Sequence, residues 1–314
     1  MNDLREQLRE AVASAFSQGR VRSFVCLEKG FYPFASIPAI LHSGSEADRV
    51  QLGLSDAPLL AKYLLDAPKP AGIVVRQCDA LGVSRLIRDR RVKREDLYIV
   101  SVSCPGVVDT AKIPVSPYQI TALENAGDAL LVHTALGRTE LPWASVLLDR
   151  CLSCVSGSAS PDADVVLEGE KEKLPAPVDY SGIDKVEHMT PDERYAMWEK
   201  EFAKCIRCFA CRNACPACSC RKCSLDLAEP EWLSPAVTLP EQFMFHFTRA
   251  YHVAGRCVGC GECERACPVG LPLMKLNRKF TRDIETLFGV DDARIPRDVE
   301  VLGTFLPDDP EEFC

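Results

Sequence analysis

The stretch "CIRCFACRNACPACSCRKC", residues 205–223, packs seven cysteines into nineteen residues. Cys205, Cys208, Cys211 and Cys215 are spaced C-x2-C-x2-C-x3-C and are followed by Pro216. The same spacing returns at Cys257, Cys260, Cys263 and Cys267, followed by Pro268. Cys218, Cys220 and Cys223 are left over as C-x-C-x2-C. What these thiols hold decides the fold of the C-terminal half.

Such a run is the pattern of bacterial two-cluster ferredoxins. Three closely spaced thiolates wrap three corners of an iron–sulfur cubane through tight loop backbone. The fourth heads a short helix, points away and ligates the other cluster. The expected ligand sets are therefore crossed. Cys205, Cys208, Cys211 and Cys267 hold one 4Fe–4S cluster, and Cys257, Cys260, Cys263 and Cys215 hold the second. Gly259 and Gly261 leave room for backbone close to the cubane. Two structural zinc knuckles are the alternative, which the third cysteine of each run and the terminal proline disfavour.

Cys218, Cys220 and Cys223 are too close together for plain core residues, and a further cluster is the favoured reading. Its fourth ligand comes from Cys314, from Cys26 or from a partner. A zinc ion, or a rearranged ligation in which one of the three replaces a ferredoxin cysteine, fits the same spacing. From Lys204 to Cys223 there are five basic residues and no acidic one. Positive charge beside an anionic, thiolate-ligated cluster favours its reduced form; a solvated basic face is the other reading.

Flanking segments predict helices. "TPDERYAMWEKEFAKC" opens with Thr190, Pro191 and Glu193, a capping box with proline at the first helical position. Tyr195, Trp198 and Phe202 share one face of it. "LPLMKLNRKFTRDIETLF" places Leu273, Leu276, Phe280, Ile284 and Leu287 along one side. "EQFMFHFTRAYHVAG" is rich in aromatics expected to cover the clusters, with His246 and His252 packed or hydrogen-bonded rather than ligating.

The chain has 314 residues, 47% hydrophobic content and a net charge of −8. That is enough for two domains. The acidic balance disfavours non-specific nucleic-acid binding, and no apolar run is long enough to span a bilayer. The opening "MNDLREQLREAVASAFSQGR" reads as an amphipathic helix with Leu4, Leu8, Val12 and Phe16 on one face, not as a signal peptide. A cytoplasmic location is expected, where seventeen reduced thiols are available to metal.

The N-terminal half reads differently. "AGIVVRQCDALGVSRLIRDR" predicts strand, loop and helix, and "EDLYIVSVSCPG" a second strand, together a βαβ unit with parallel strands. Cys78 and Cys104 fall at the carboxyl ends of these strands. "WASVLLDRCLSC" predicts a third apolar strand before Cys151 and Cys154. Ligands bind at that edge of open α/β sheets, so four cysteines from three strand ends can converge on one cluster. The alternative treats Cys78 and Cys104 as small buried hydrophobes. The basic run from Arg85 to Arg94 reads as a charged helix end rather than a docking patch.

"GIVVRQCDALGVSRLI", "REDLYIVSVSCPGVVD" and "RCLSCVSGSASPDADVVLEGE" resemble the flavin-binding beta-subunit family of deazaflavin-reducing hydrogenases and formate dehydrogenases. The matching positions are Cys78, Cys104, Cys151 with Cys154, Ala163 with Asp164, and Gly169 with Glu170. The C-terminal half, including "HVAGRCVGCGECERACPVGLPL", is similar to fused versions found beside heterodisulfide-reductase-like flavoproteins. The resemblance spans roughly residues 20 to 290 and strengthens the reading of an N-terminal cluster. It also implies FAD as a candidate cofactor. No G-x-G-x-x-G follows a strand here, but the family's flavin site does not rely on that signature.

The expected organisation is an α/β domain over 1–175 with a mostly parallel sheet, a linker over 176–188, a helical, loop-rich ferredoxin-like iron–sulfur domain over 189–290, and an acidic tail over 291–314. The expected function is an electron-transfer subunit without a catalytic residue of its own. It relays electrons through two to four 4Fe–4S clusters between a formate dehydrogenase or hydrogenase type subunit and a heterodisulfide-reductase-like or electron-bifurcating flavoprotein. The alternative is an FAD-containing reductase that oxidises a soluble hydride carrier and passes electrons to its own clusters.

Overall fold

The computed structural model describes residues 2–152, 154, 162–169, 180–290, 294 and 302. Glu170, the first part of the expected linker, nearly all of the acidic tail and Cys314 lie outside the described residues. The chain divides into two compact units, Met1–Asp179 and Tyr180–Cys314.

The first unit is α/β. Helix α1 (Asn2–Ser17) leads to strands β1 (Ser23–Lys29) and β2 (Ser36–Leu41), then β3 (Ala71–Val75), helix α2 (Gln77–Arg88) and β4 (Leu97–Val102). After β5 (Ile120–Asn125), β6 (Ala129–Thr134), β7 (Gly137–Pro142) and the single turn α3 (Asp149–Leu152), strand β8 (Val165–Leu167) returns to the first sheet. That sheet has the order β2-β1-β3-β4-β8. Only the β1–β2 hairpin is antiparallel; β1–β3, β3–β4 and β4–β8 are parallel. β3 and β4 are buried along their whole length, as strands covered on both faces must be. Leu4, Leu8 and Val12 of α1 are buried in the same core, as the helical spacing predicts.

Gly72 marks a close approach inside this core. A Cβ there would meet the ring of the fully buried Phe24, on the neighbouring strand, at 2.1 Å. Gly72→Ala is therefore expected to destabilise the first unit by about 1–3 kcal/mol through overpacking. A fall in its thermal midpoint checks this.

The sequence reading missed β5, β6 and β7. They form a separate antiparallel sheet between β4 and Cys151, with its own core around Val107, Ile120, Leu130 and Trp143. The expected strand in "WASVLLD" is instead a 3-10 turn, Trp143–Val146. Trp143 and Val146 are apolar because they plug that second core, not because they alternate across a sheet. The basic run is partly structural: Arg85 is buried and pairs with Asp89 at 3.7 Å, and Arg94 pairs with Asp164 at 3.0 Å.

The second unit is helical: α4 (Ser181–Glu187), α5 (Pro191–Phe202), α6 (Ala210–Asn213), α7 (Leu239–His252), α8 (Glu262–Arg265) and α9 (Leu273–Phe288). The capping box of α5 forms as predicted, Thr190 with Glu193. α4 corrects the expected linker over 176–188. Its Ile183 is buried, and Asp184 and Glu187 pair with Arg282 and Lys279 of α9. Hydrogen bonds from Lys279 and Arg282 bring the Glu187 carboxyl down to about 2. A helix bound by such pairs is part of the unit rather than a spacer. On α9, Leu273, Leu276 and Ile284 are buried as expected, whereas Leu287 is exposed at the helix end.

Candidate functional site

The two ferredoxin runs fold alike. In each C-x2-C-x2-C loop, the residue before the second cysteine and the one after it turn left-handed. These are Arg207 and Phe209 in one loop and Gly259 and Gly261 in the other. Glycine enters this region at no steric cost, whereas a side chain costs about 1–2 kcal/mol. The first loop offsets that strain with side-chain anchors. Arg207 donates to the carbonyls of Ser234 at 2.7 Å and Ala236 at 2.6 Å. Phe209 packs against Phe245 and under the Arg212 guanidinium. Left-handed Phe209 and Gly261 then start the short helices α6 and α8, which carry the chain to Cys215 and Cys267.

The cysteines fall into two groups, and the groups are crossed. Cys205 faces Cys267 and Cys208, and Cys211 faces Cys205, Cys267 and Cys208. Cys257 faces Cys215, Cys260 faces Cys215, Cys257 and Cys263, and Cys263 faces Cys215 and Cys257 and, from the first group, Cys211. Each last cysteine thus sits with the other run. Burial pushes the Cys263 thiol up to about 12, with Cys215 and Cys257 adding to the effect and Arg249 opposing it. Thiols held in this way ionise in the company of a cation, and an iron–sulfur cubane supplies one. The residues present therefore fit the group. Among the described residues no three His, Cys, Asp or Glu side chains are gathered tightly enough for a single metal ion; a cubane takes its four sulfurs at separate corners.

Nitrogen donors surround the sulfurs. The backbone amides of Arg207 and Leu271 reach the Cys205 and Cys267 sulfurs at 3.4 Å each. His246 Nε2 lies 3.3 Å from Cys205 Sγ, and Asn277 Nδ2 donates to Cys263 Sγ at 3.4 Å. Burial, with help from Arg249, brings His246 down to about 4, so the ring is neutral near pH 7. It stacks on Phe202. Hydrogen bonds to cluster sulfurs are a lever on reduction potential.

The sequence reading missed three residues of this shell: Gln242, Arg249 and Asn277. Gln242, His246 and Arg249 are spaced i, i+4, i+7 on α7 and are all buried. They form a polar stripe turned inward, toward the cysteine loops. The available signal was that spacing within an aromatic helix, where polar residues are ordinarily read as the outer face.

The leftover thiols are not gathered the same way. Cys218 sits against Cys215, Cys223 lies beside the Arg212 guanidinium, and Cys220 is exposed. Cys26, one candidate fourth ligand, is wholly buried in β1 among apolar neighbours. There it serves as a small hydrophobe.

In the first unit the four predicted cysteines are neighbours in pairs. Cys78, in the first turn of α2, faces Cys104, which follows β4; Cys151 faces both Cys104 and Cys154. Arg76 faces Cys104 and Cys78, and Arg150 faces Cys78 and Cys151. The Val107 amide donates to Cys151 Sγ at 3.4 Å. Cys78 is on a helix rather than a strand end, and Cys151 arrives from the second core, yet the carboxyl edge of the parallel sheet is the meeting place. At the same edge lies a cavity of about 780 Å³ lined by Lys29, Phe34, Gly53, Ser103 and Gly169, among others.

This fold, with crossed cysteine sets under N–H donors, defines an iron–sulfur electron-transfer subunit of an oxidoreductase complex. Residues 201–271 match the family model of the 4Fe-4S dicluster domain, and 4Fe–4S clusters are the cofactors. The chain is 22% identical to the F420-dependent formate dehydrogenase subunit beta of Methanocaldococcus jannaschii, over 88% of this chain and 89% of that protein. It is 24% identical to the F420-dependent formate dehydrogenase 1 subunit beta of Methanococcus maripaludis, over 89% of each. A chain of the F420-reducing [NiFe] hydrogenase complex from Methanosarcina barkeri aligns with a TM-score of 0.38 and 13% identity, over 49% of this chain and 62% of that one. Over nearly nine-tenths of its length the chain is thus similar to formate dehydrogenase beta subunits, and it carries a 4Fe-4S dicluster domain. Among the described residues no helix is long and apolar enough to cross a membrane.

Proposed function

We propose that the chain is a cytoplasmic relay between a formate dehydrogenase or hydrogenase type catalytic subunit and a heterodisulfide-reductase-like or electron-bifurcating flavoprotein. The single observation that carries this reading is the crossed grouping of the eight ferredoxin-run cysteines in the second unit. Cys205, Cys208, Cys211 and Cys267 would hold one cluster. Cys257, Cys260, Cys263 and Cys215 would hold another, and Cys78, Cys104, Cys151 and Cys154 a third. When bound, a cubane supplies a one-electron couple. The chain's own residues fix its position through tight loops, exclude water through Trp198, Phe202 and Phe245, and set its potential through the donors of His246, Asn277 and the loop amides. A fourth centre on Cys218, Cys220 and Cys223 requires a ligand from outside the trio.

Counting iron and acid-labile sulfide on anaerobically prepared protein tests the reading. About eight iron atoms leave the ferredoxin pair alone, about twelve add the first-unit centre, and about sixteen fill every group. Zinc without sulfide overturns it.

The cavity favours one second reading, an FAD-containing reductase fed by a soluble hydride carrier. It lies where open α/β sheets bind ligands and falls in the usual size range of cofactor pockets. Gly169 presents its amide to Ser103 Oγ at 2.7 Å, and a Cβ on it would meet that oxygen at 2.9 Å. Lys29 at the rim offers a cation to a phosphate. Flavin released on denaturation, with bleaching of the cluster band by reduced F420 in the absence of any catalytic subunit, would move the function to this reading. Colour loss only in the presence of a catalytic subunit and its substrate supports the relay.

A further inference from the structure

One buried charge in the second unit has no carboxylate opposite it among the described residues. Arg249 projects from the inward stripe of α7 and is 3% exposed. Its Nη2 donates to the Cys211 carbonyl at 3.1 Å, and its Nε has no hydrogen-bond partner among the described residues. A buried guanidinium left this way is costly unless an anionic group offsets it. Burial works against its charge, but Cys263, Cys215, Cys218 and Cys211 all act to raise it, and the net direction is upward. Those cysteines come from both crossed groups: Cys211 from the first, Cys215 and Cys263 from the second. The residues after Arg249 reach both groups as well: Ala250 is buried in the core that holds Cys211 and Cys263, and Val253 in the one that holds Cys215 and Cys257.

We infer that Arg249 is the shared counter-ion of the two clusters, a positioning residue that raises both reduction potentials together. This rests on the crossed ligation proposed above. Each cluster gains one negative charge when it takes up one electron, and a fixed cation between the two favours that step at either. In a low-dielectric core such a charge acts far more strongly than on a surface. Its hydrogen bond to the Cys211 carbonyl fixes the guanidinium against the first loop, so the charge does not relax away. Arginine suits the role because it stays protonated however deeply it is buried. The basic residues Arg221 and Lys222, in the cysteine-rich stretch itself, are exposed and screened, which makes them weaker levers.

The experiment uses the full-length, iron-loaded chain and follows both ferredoxin-type EPR signals in a redox titration of wild type, Arg249→Met and Arg249→Lys. In Arg249→Met with full iron, both couples are expected to shift at least tenfold toward the oxidised state, which is 59 mV for a one-electron couple. Arg249→Lys is expected to restore most of that shift. Unchanged potentials, or a shift confined to one cluster, overturn the inference while leaving the clusters themselves in place. If Arg249→Met loses iron, the shared role predicts that both clusters are lost together and that Arg249→Lys recovers both. Failure of the lysine variant to recover them assigns the residue to packing and overturns the inference. Wild-type protein without iron would instead sink the ligation reading on which it rests.

Discussion

Cys267→Ala is expected to remove the cluster built on Cys205, Cys208 and Cys211, and to spare the one built on the cysteines nearest to it in sequence. Iron should fall by about four atoms per chain. A single variant does not reveal which cluster has gone; pairs do. Cys267→Ala with Cys205→Ala should lose no more iron than either change alone, because both strip the same site. Cys267→Ala with Cys257→Ala should lose about eight atoms, because they strip different sites. This is a coupling test of the kind that separates residues sharing one site from residues that act independently. The reversed pattern would mean that each run folds around its own cubane, against the facing of Cys267 toward Cys205 and Cys211. Metal binding of this kind is coupled to folding. Cys267 also packs in the core with Phe202, Phe245 and Leu271, so the variant should melt earlier as well.

The second unit could be read from its sequence because its chemistry is written in local spacing. C-x2-C-x2-C-x3-C-P specifies loop, left-handed turns and short helix in twelve residues, and needs no distant contact to be recognised. The helices on either side followed from caps and periodicity for the same reason. What the spacing could not convey was the inward polar stripe of Gln242, His246 and Arg249. Its meaning depends on what α7 packs against, and α7 lies between the two runs in sequence. The three odd thiols show the limit from the other side. C-x-C-x2-C looks like a ligand set, but Cys218 turns to Cys215 while Cys223 turns to Arg212.

In the first unit the βαβ unit was plain, and the residues between β4 and Cys151 were not. β7 is exposed along nearly its whole length and β5 along much of it. A strand without a buried face gives no alternation to read. Trp143 and Val146 did the opposite: buried in a 3-10 turn, they imitated a strand. The linker expectation failed where α4 formed, because the partners that hold α4 are charges on α9, nearly a hundred residues away. No local composition announces such a pairing.

The convergence of Cys78, Cys104, Cys151 and Cys154 carries the second large prediction. If they hold a cluster, Cys104→Ala should lower iron by about four atoms per chain while the paired ferredoxin-type EPR signals keep their amplitudes and potentials. Cys151→Ala should do the same, and the double variant should lose no more than either single change. The alternative, that these are buried thiols serving only as packing, predicts no change in iron and a modest fall in stability. Cys104 and Cys151 both pack in the second apolar core, so the iron count is the measurement that separates the two. What favours a cluster is that Cys78 and Cys104 also lie near each other and the guanidinium of Arg76, with Arg150 beside Cys78 and Cys151. Two guanidinium groups beside three of the thiols suit an anionic group better than an apolar core. The same logic places Arg249 beside the ferredoxin pair. In both units the chain supplies a buried arginine beside cysteines from separate segments, and an anionic centre held by those cysteines would meet that charge.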